Sequence, residues 1–315
     1  MTTSPRPRPL SERAGVGVDS EVHFIDGARL GGEGELLEVT YPVTGEVLVR
    51  VQGASSAQVD AAISAARASF DAGIWRRRPP TERAEILKAT GACLAERRDE
   101  LVHLVMLDNG KTRGEAEIDV LAAVGACRAA ADSCLADREI TLPAERGVIR
   151  KIWREPVGVV AAITPFNAPL MFAALKAAPA LAAGNSVVLK PSERAPLVPV
   201  ALCEAARQAG LPGGVLNLVH GTGDVAATLC DDDRVDMISL TGGVATGTAV
   251  MRAAATTIKN VLLELGGKSA HIVLADADLS AATAAAAAGI FRNAGQRCFS
   301  GSRLILEEPI ADEVE

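Results

Sequence analysis

The second half of the chain predicts an α/β fold, a doubly wound parallel sheet. Three observations lead there. Five short, mostly apolar runs, Val157–Ile163, Ser186–Lys190, Val215–Val219, Met237–Leu240 and Val261–Leu265, have the composition of strands covered on both faces. Segments of helical period separate them: Leu170–Ala183, Leu197–Ala209, Asp224–Cys230 and a stretch from about Ala245. The connections are short and punctuated by Gly and Pro. Alternation of this kind implies parallel strands joined by crossover helices, with ligands bound beyond the carboxyl ends of the strands.

The first half differs. Residues 14–53 carry short β-like runs around the turn Pro42-Val43-Thr44-Gly45, a hairpin-rich opening. Ser55 and Ser56 can cap a helix in which Val59, Ile63, Ala66 and Phe70 share one face. Trp75 to Pro80 is a basic, proline-ended break. A second helix runs from Thr81 to about Met106, stopped by Asn109-Gly110, and an Ala-rich third from about Gly114 to Cys134. These three helices read as packing scaffold. Residues 138–155 predict two strands around Pro143-Ala144-Glu145-Arg146, a ribbon whose unpaired edge can template association with another copy.

With 315 residues the chain has room for two domains. Its formal net charge of −7 argues against non-specific nucleic-acid binding, and no apolar run reaches the roughly 18–20 residues of a membrane span. Residues 1–21 read as a disordered tail without an apolar signal core, so the protein is expected to be cytoplasmic. The six cysteines and four histidines do not cluster, which excludes a disulfide framework or a structural zinc site.

The strand ends carry the chemistry. Asn167 follows the first strand, and its amide suits a developing oxyanion and equally a helix cap before Pro169. After the second strand, Lys190 can reach a phosphate or a ribose hydroxyl, and Glu193 can accept from ribose hydroxyls; a solvated turn is the other reading. Thr241-Gly242-Gly243-Val244-Ala245-Thr246-Gly247 opens a helix, and a Gly-rich turn there suits an anion. Glu264 ends the fifth strand, ahead of Gly266-Gly267. Further on, Gly295-Gln296-Arg297 precedes Cys298, a soft nucleophile once ionised, for which a nearby carboxylate can activate water.

Taken together, Thr164-Pro165-Phe166-Asn167, Leu189-Lys190-Pro191-Ser192-Glu193, Leu240-Thr241-Gly242-Gly243, Leu263-Glu264-Leu265-Gly266-Gly267-Lys268 and Gly295-Gln296-Arg297-Cys298 resemble the aldehyde dehydrogenase superfamily, from about residue 22 to 315. The resemblance implies an oxidoreductase that turns an aldehyde into a carboxylic acid. Cys298 would be the nucleophile. Asn167 and the backbone N–H of Cys298 would hold the oxyanion, and Glu264 would activate the water that releases the acid. Ile163, Thr164, Lys190, Ser192, Glu193, Gly223, Thr241, Gly242, Gly243, Gly247 and Leu265 would line a Rossmann-like cofactor groove. Glu193 suggests NAD, while Lys190 and Ser192 leave NADP open. No metal is implied. Glu264 favours hydrolysis over transfer to coenzyme A.

The same resemblance divides the chain into an NAD-binding domain (22–137 and 156–265), an oligomerisation ribbon (138–155) and the start of a second, catalytic domain (266–315). It implies a homo-oligomer at full length and a small-molecule aldehyde partner, with Phe166, Phe172 and Phe299 helping to shape its pocket. Two local departures stand out. Gly243 replaces the serine common in relatives, a loss of about 1 kcal/mol if one neutral hydrogen bond goes. Tyr41 stands where relatives often carry Asn. Family members also continue well past Glu315. The sequence is therefore expected to be a fragment of a longer product or a natural truncation, leaving Val273, Leu304 and Ile305 exposed, the chain prone to aggregate and poorly active. The alternatives to an active enzyme are a nucleotide-binding remnant without turnover and a CoA-acylating or phosphorylating relative.

Overall fold

The five apolar runs pair side by side as parallel strands. The computed structural model describes residues 22–136, 139–145 and 147–314; the expected N-terminal tail lies outside them, as does Arg146 at the ribbon tip. Two hairpins open the chain, β1 (His23–Ile25) with β2 (Ala28–Leu30) and β3 (Leu36–Thr40) with β4 (Val47–Gln52). Helices α1 (Ser56–Ala72), α2 (Pro80–Glu96), α3 (Arg98–Asn109) and α4 (Arg113–Cys134) follow, then the ribbon β5 (Glu139–Glu145) and β6 (Val148–Trp153). The alternating part is β7 (Val159–Ile163), α5 (Pro169–Ala183), β8 (Ser186–Lys190), α6 (Val200–Gln208), β9 (Leu216–Leu218), α7 (Gly223–Asp231), β10 (Met237–Gly242), α8 (Val244–Ala255) and β11 (Asn260–Leu265). Beyond it lie β12 (Ala270–Val273), α9 (Leu279–Phe291), β13 (Arg303–Leu306) and α10 (Ala311–Val314).

The main sheet has seven strands in the order β11-β10-β7-β8-β9-β1-β2. Successive crossovers move outward from β7 to β8 and β9, and then back past it to β10 and β11, so the winding reverses between β7 and β10. Side-chain alternation divides the core into two layers. Val160 and Ala162 point into a cluster with α2, α4, α5 and α6, whereas Val159, Ala161 and Ile163 point into one with α1, α7 and α8. Such double coverage is why these strands read as apolar runs.

The structure corrects several expectations. The opening hairpin β1–β2 joins the main sheet, antiparallel to β9 through Phe24 and Leu218. The expected helix from Thr81 to Met106 is two helices. Arg97 leaves helical geometry (φ −94°, ψ 17°), and its guanidinium reaches Glu100 at 2.6 Å and Glu204 of α6 at 2.8 Å. The helix expected from Leu197 begins at Val200, because Asp108 Oδ2 takes the N–H groups of Leu197 and Val198 and Pro199 has none to give. The ribbon turn is tighter than expected. Pro143 lies within β5, beside a register shift between Leu142 and Glu145, where an isolated ribbon tolerates a residue without an N–H. Val273, expected to be exposed, is buried, while Leu304 and Ile305 are about half exposed. Helix α9 has no buried residue.

His23 and His220 lie edge to face, ring centroids 5.3 Å apart, beneath the junction of β1 and β9. Nε2 of His23 faces Gln52 O at 3.0 Å, and His23 Nδ1 accepts from His220 N at 3.2 Å. Burial, reinforced by the neighbouring His23, pushes the His220 imidazole down to about 3; burial also lowers His23. The unfolded chain therefore takes up protons near the ordinary histidine value that the folded chain refuses. Stability from this pair is complete above about pH 6.5 and is lost as pH falls below it, by up to ~1.4 kcal/mol per pH unit for His220. We expect the urea midpoint to fall between pH 7 and pH 5 and the fall to shrink in His220→Gln. An equal fall in that variant would contradict the assignment.

Candidate active site

The reversal between β7 and β10 opens a cleft at their carboxyl ends, as doubly wound sheets require. A cavity of about 560 Å³ occupies it, lined by Ile163 and Thr164 at the end of β7, Lys190 ending β8 with Ser192 and Glu193 beyond it, Gly223 opening α7, Thr241 and Gly242 ending β10 with Gly243 beyond it, and Leu265 ending β11. Gly247 is absent from the lining. A Cβ there would stand 2.8 Å from Leu265 Cδ2, so this glycine lets α8 sit on the leucine that forms the wall. Gly243 is the N-cap of α8 and has no side chain to satisfy the first-turn N–H groups, which leaves them for an anion.

Lys190 is buried, which rules out the solvated-turn reading, and its Nζ lies 3.2 Å from Glu193 Oε2. Burial lowers the Lys190 ammonium against the pull of Glu193. For Glu193, burial works upward, but its own backbone N–H and the charges of Lys190 and Arg194 bring the carboxyl below the usual range. Among the described residues, the hydroxyls of Thr164 and Thr241 are buried without a partner at the cleft wall.

A second cavity, of about 320 Å³ and mostly apolar, lies between α4, α5 and the segment after α9; Ile118, Met171, Phe172 and Phe299 line it together with Glu115. Phe166, expected here, lines the larger cleft instead, because the chain after β7 turns toward Arg194, whose guanidinium lies 5.3 Å over its ring. Three residues belong to both cavities: Asn167, Arg297 and Cys298. Cys298 is exposed, whereas Cys93 is half-buried and the other four cysteines are buried. Burial lifts the thiols of Cys127 to about 12 and Cys230 to about 11, which keeps them protonated and inert.

Asn167 is not a helix cap. The N-cap of α5 is Ala168, and the Asn167 amide donates to Gln296 O at 2.6 Å. An amide nitrogen has two N–H groups, so one is used to hold the loop before Cys298 and the second remains. Glu264 is the penultimate residue of β11, in register with Thr241, and is exposed. It lines neither cavity. Its charge reaches Lys176 of α5, whose ammonium burial lowers to about 8 against the pull of that carboxylate, and whose Nζ donates to Ser239 Oγ at 3.0 Å. The structure therefore brings Cys298 and Asn167 together and leaves Glu264 apart.

Sequence reasoning missed Glu115, Asn293 and Gln296, which frame this junction, and the buried pair Lys111–Asp119 at 2.8 Å behind it. Only Gln296 had a signal, its place in the run before Cys298. Among the described residues there is no helix long and apolar enough to cross a membrane, and no group of three or more His, Cys, Asp or Glu side chains fit to hold a metal.

The switch-point cleft of the sheet and an apolar cavity meet at an exposed cysteine, which defines a doubly wound α/β protein with two adjoining cavities at its strand ends. The chain belongs to the aldehyde dehydrogenase family, whose sequence model matches residues 30–315. It is similar to 2-hydroxymuconic semialdehyde dehydrogenase of a Pseudomonas species, at 41% identity over 92% of this chain and 61% of the relative. With the NADP/NAD-dependent aldehyde dehydrogenase PuuC of Escherichia coli, identity is 43% over 92% of this chain and 60% of the relative. Among solved structures it resembles γ-glutamyl-γ-aminobutyraldehyde dehydrogenase of Burkholderia cenocepacia, with a TM-score of 0.92 and 40% identity over 96% of this chain and 62% of that one. A betaine aldehyde dehydrogenase of Staphylococcus aureus, solved with NAD+, gives a TM-score of 0.92 at 34% identity, over 96% of this chain and 61% of that one. The chain thus spans about 60% of the length of these relatives.

Limiting iodoacetamide should label Cys298 ahead of the other five cysteines, as read by peptide mass spectrometry. A digest in which Cys93 carries most of the label would contradict the exposure assigned here.

Proposed function

We propose that the protein oxidises a small or medium aldehyde to its carboxylic acid with NAD+, or alternatively NADP+, through a covalent adduct on Cys298. The observation that carries this reading is the exposed thiol on the wall shared by the larger cleft and the apolar cavity. The cleft suits the dinucleotide. Two buried hydroxyls, Thr164 and Thr241, lack partners among the described residues, and the start of α8 is uncapped by any side chain. Lys190 and Glu193 would hold the adenosine ribose, and the α8 N-terminus would face the pyrophosphate. When bound, NAD+ supplies a hydride acceptor.

The protein's own part follows. The Cys298 thiolate attacks the carbonyl carbon to give a thiohemiacetal, whose oxyanion takes the second N–H of Asn167 and the backbone N–H of Cys298. Collapse of that adduct expels hydride and leaves a thioester, which keeps the carbon electrophilic. Glu264, which stands outside both cavities, is the candidate base by its place in the Glu-Leu-Gly-Gly-Lys run: turned toward the thioester it would remove a proton from water for the second attack, and the acid leaves with the thiol restored. A base at this position favours hydrolysis over acyl transfer to coenzyme A. All the relatives named above are described as dehydrogenases, which favours this reading over nucleotide binding without turnover.

The same reading assigns 22–137 and 156–265 to a nucleotide-binding domain and 266–315 to the beginning of a catalytic domain. It gives the ribbon 138–155 a place in a homo-oligomer and the protein a cytoplasmic location. The ribbon's exposed Ile149 and Trp153 accord with association.

Aldehyde-dependent NADH formation should vanish in Cys298→Ala while NAD+ binding persists. In Glu264→Gln the first turnover should survive as a burst of one NADH per chain, and the steady rate should fall by roughly a hundredfold or more. Steady turnover by Cys298→Ala would overturn the covalent route. NAD+ binding without any NADH from the unmodified chain would favour the binding-only alternative, and acyl-CoA in place of acid would favour the acylating one.

A further inference from the structure

The turn that delivers Cys298 is made of left-handed residues. Asn293 (φ 58°), Ala294 (φ 53°) and Gly295 (φ 71°) follow one another directly after α9. Glycine adopts this conformation freely and asparagine tolerates it, but the Cβ of an alanine crowds its own backbone there. A turn of this composition persists only when its surroundings hold it. Helix α9 has no buried residue and meets this segment through Ala288 O and Gly289 O, which accept from the Arg297 guanidinium at 3.0 and 3.1 Å.

The hold comes from the opposite side. Glu115 Oε1 accepts the backbone N–H of Asn293. The Asn293 amide donates to Asn167 O at 2.9 Å, and the Asn167 amide donates to Gln296 O at 2.6 Å. Glu115 is itself fixed, because its other oxygen accepts from Thr112 N at 3.2 Å and Thr112 Oγ1 at 2.9 Å at the start of α4. A helix-capping role accounts for the bonds to Thr112 and leaves the bond to Asn293 unexplained. Burial works to raise the Glu115 carboxyl, and the hydrogen bonds from Asn293 and Thr112 outweigh it, so the group stays an ionised acceptor.

We infer that Glu115 is a positioning residue for the nucleophile: through Asn293 it pins the left-handed turn and so sets where Cys298 and Asn167 stand toward the apolar cavity. No proton or bond passes through it. The inference rests on the reading of Cys298 as the nucleophile.

The test is amide hydrogen exchange of the peptide covering residues 292–299 in the full chain, with the rate of the NADH burst as a second readout. Glu115→Ala should speed exchange in that peptide and slow the burst, each about tenfold, the worth of one hydrogen bond to a charged group, with NAD+ affinity unchanged. Glu115→Gln, which keeps an acceptor, should stay within about twofold of the unmodified chain. Adding Ala294→Gly to Glu115→Ala should recover most of the protection, because glycine needs no support in this conformation. Thr112→Ala, which weakens the cap alone, should leave the peptide protected. Unchanged exchange in Glu115→Ala, or an equal effect of Thr112→Ala, overturns the proposal. Should Glu115→Ala fail to fold, Asn293→Asp keeps the α4 cap, replaces the donor to Asn167 O with a carboxylate and must open the same peptide. If the unmodified chain makes no NADH, the function fails while the exchange measurement still decides the role of Glu115.

Discussion

Chain connections leave β7 in opposite senses, and everything at the site depends on that reversal. The crossover through α5 carries the chain to β8, the return through α7 places β10 on the other side of β7, and α8 leads on to β11. No connection can then cover the carboxyl ends of both β7 and β10, so a cleft is forced by topology before any side chain is chosen. Residue choice fills in its chemistry. Thr164 and Thr241 stand on its two sides, and the glycines after β10 leave the start of α8 bare.

The four helices before the ribbon do more than fill space. Each buried polar group at the α3–α4 junction holds a piece of the site by a backbone contact. Asp108 takes the N–H groups of Leu197 and Val198, Asn109 donates to Phe166 O at 2.6 Å, and Asp119 Oδ1 takes Met171 N at 2.7 Å while Lys111 neutralises its other oxygen. Burial lifts the Asp108 carboxyl to about 7 despite those two N–H donors. Loops after β7 and β8 are thus tied to one helical corner. Removing one partner from a fully buried pair such as Lys111–Asp119 typically costs 3–5 kcal/mol, so the corner is rigid in proportion to how dry it is.

What the sequence showed and what it hid divide along a physical line. Short-range pattern was legible: apolar runs of strand length, Gly and Pro between them, and polar residues just past strand ends, which placed Thr164, Lys190, Glu193 and Thr241 on one cleft before any coordinates. Long-range pairing was not. Nothing local marks β1–β2 as neighbours of β9, or Arg97 as the partner of Glu204 that breaks a helix. Backbone conformation against residue preference was equally hidden, since Ala294 in a left-handed turn contradicts every local rule. Asn167 shows the middle case. Its residue type suited two roles, and only the 2.6 Å contact to Gln296 O removed one of them.

That contact also says where the precision of the site originates. Cys298 lies between unequal parts: strands β7 and β8, buried at every residue, and helix α9, buried at none. Local opening costs least where few apolar contacts must break, so a thiol fixed only to α9 would follow the motions of an exposed helix. Productive attack needs placement to within about half an ångström. The bonds from Asn167 and Glu115 transfer Cys298 from the weakly held part to the strongly held one. They do so at the turn where the chain is least able to hold its own shape. Precision here is a property of the contact between layers, and the strained turn makes that contact obligatory.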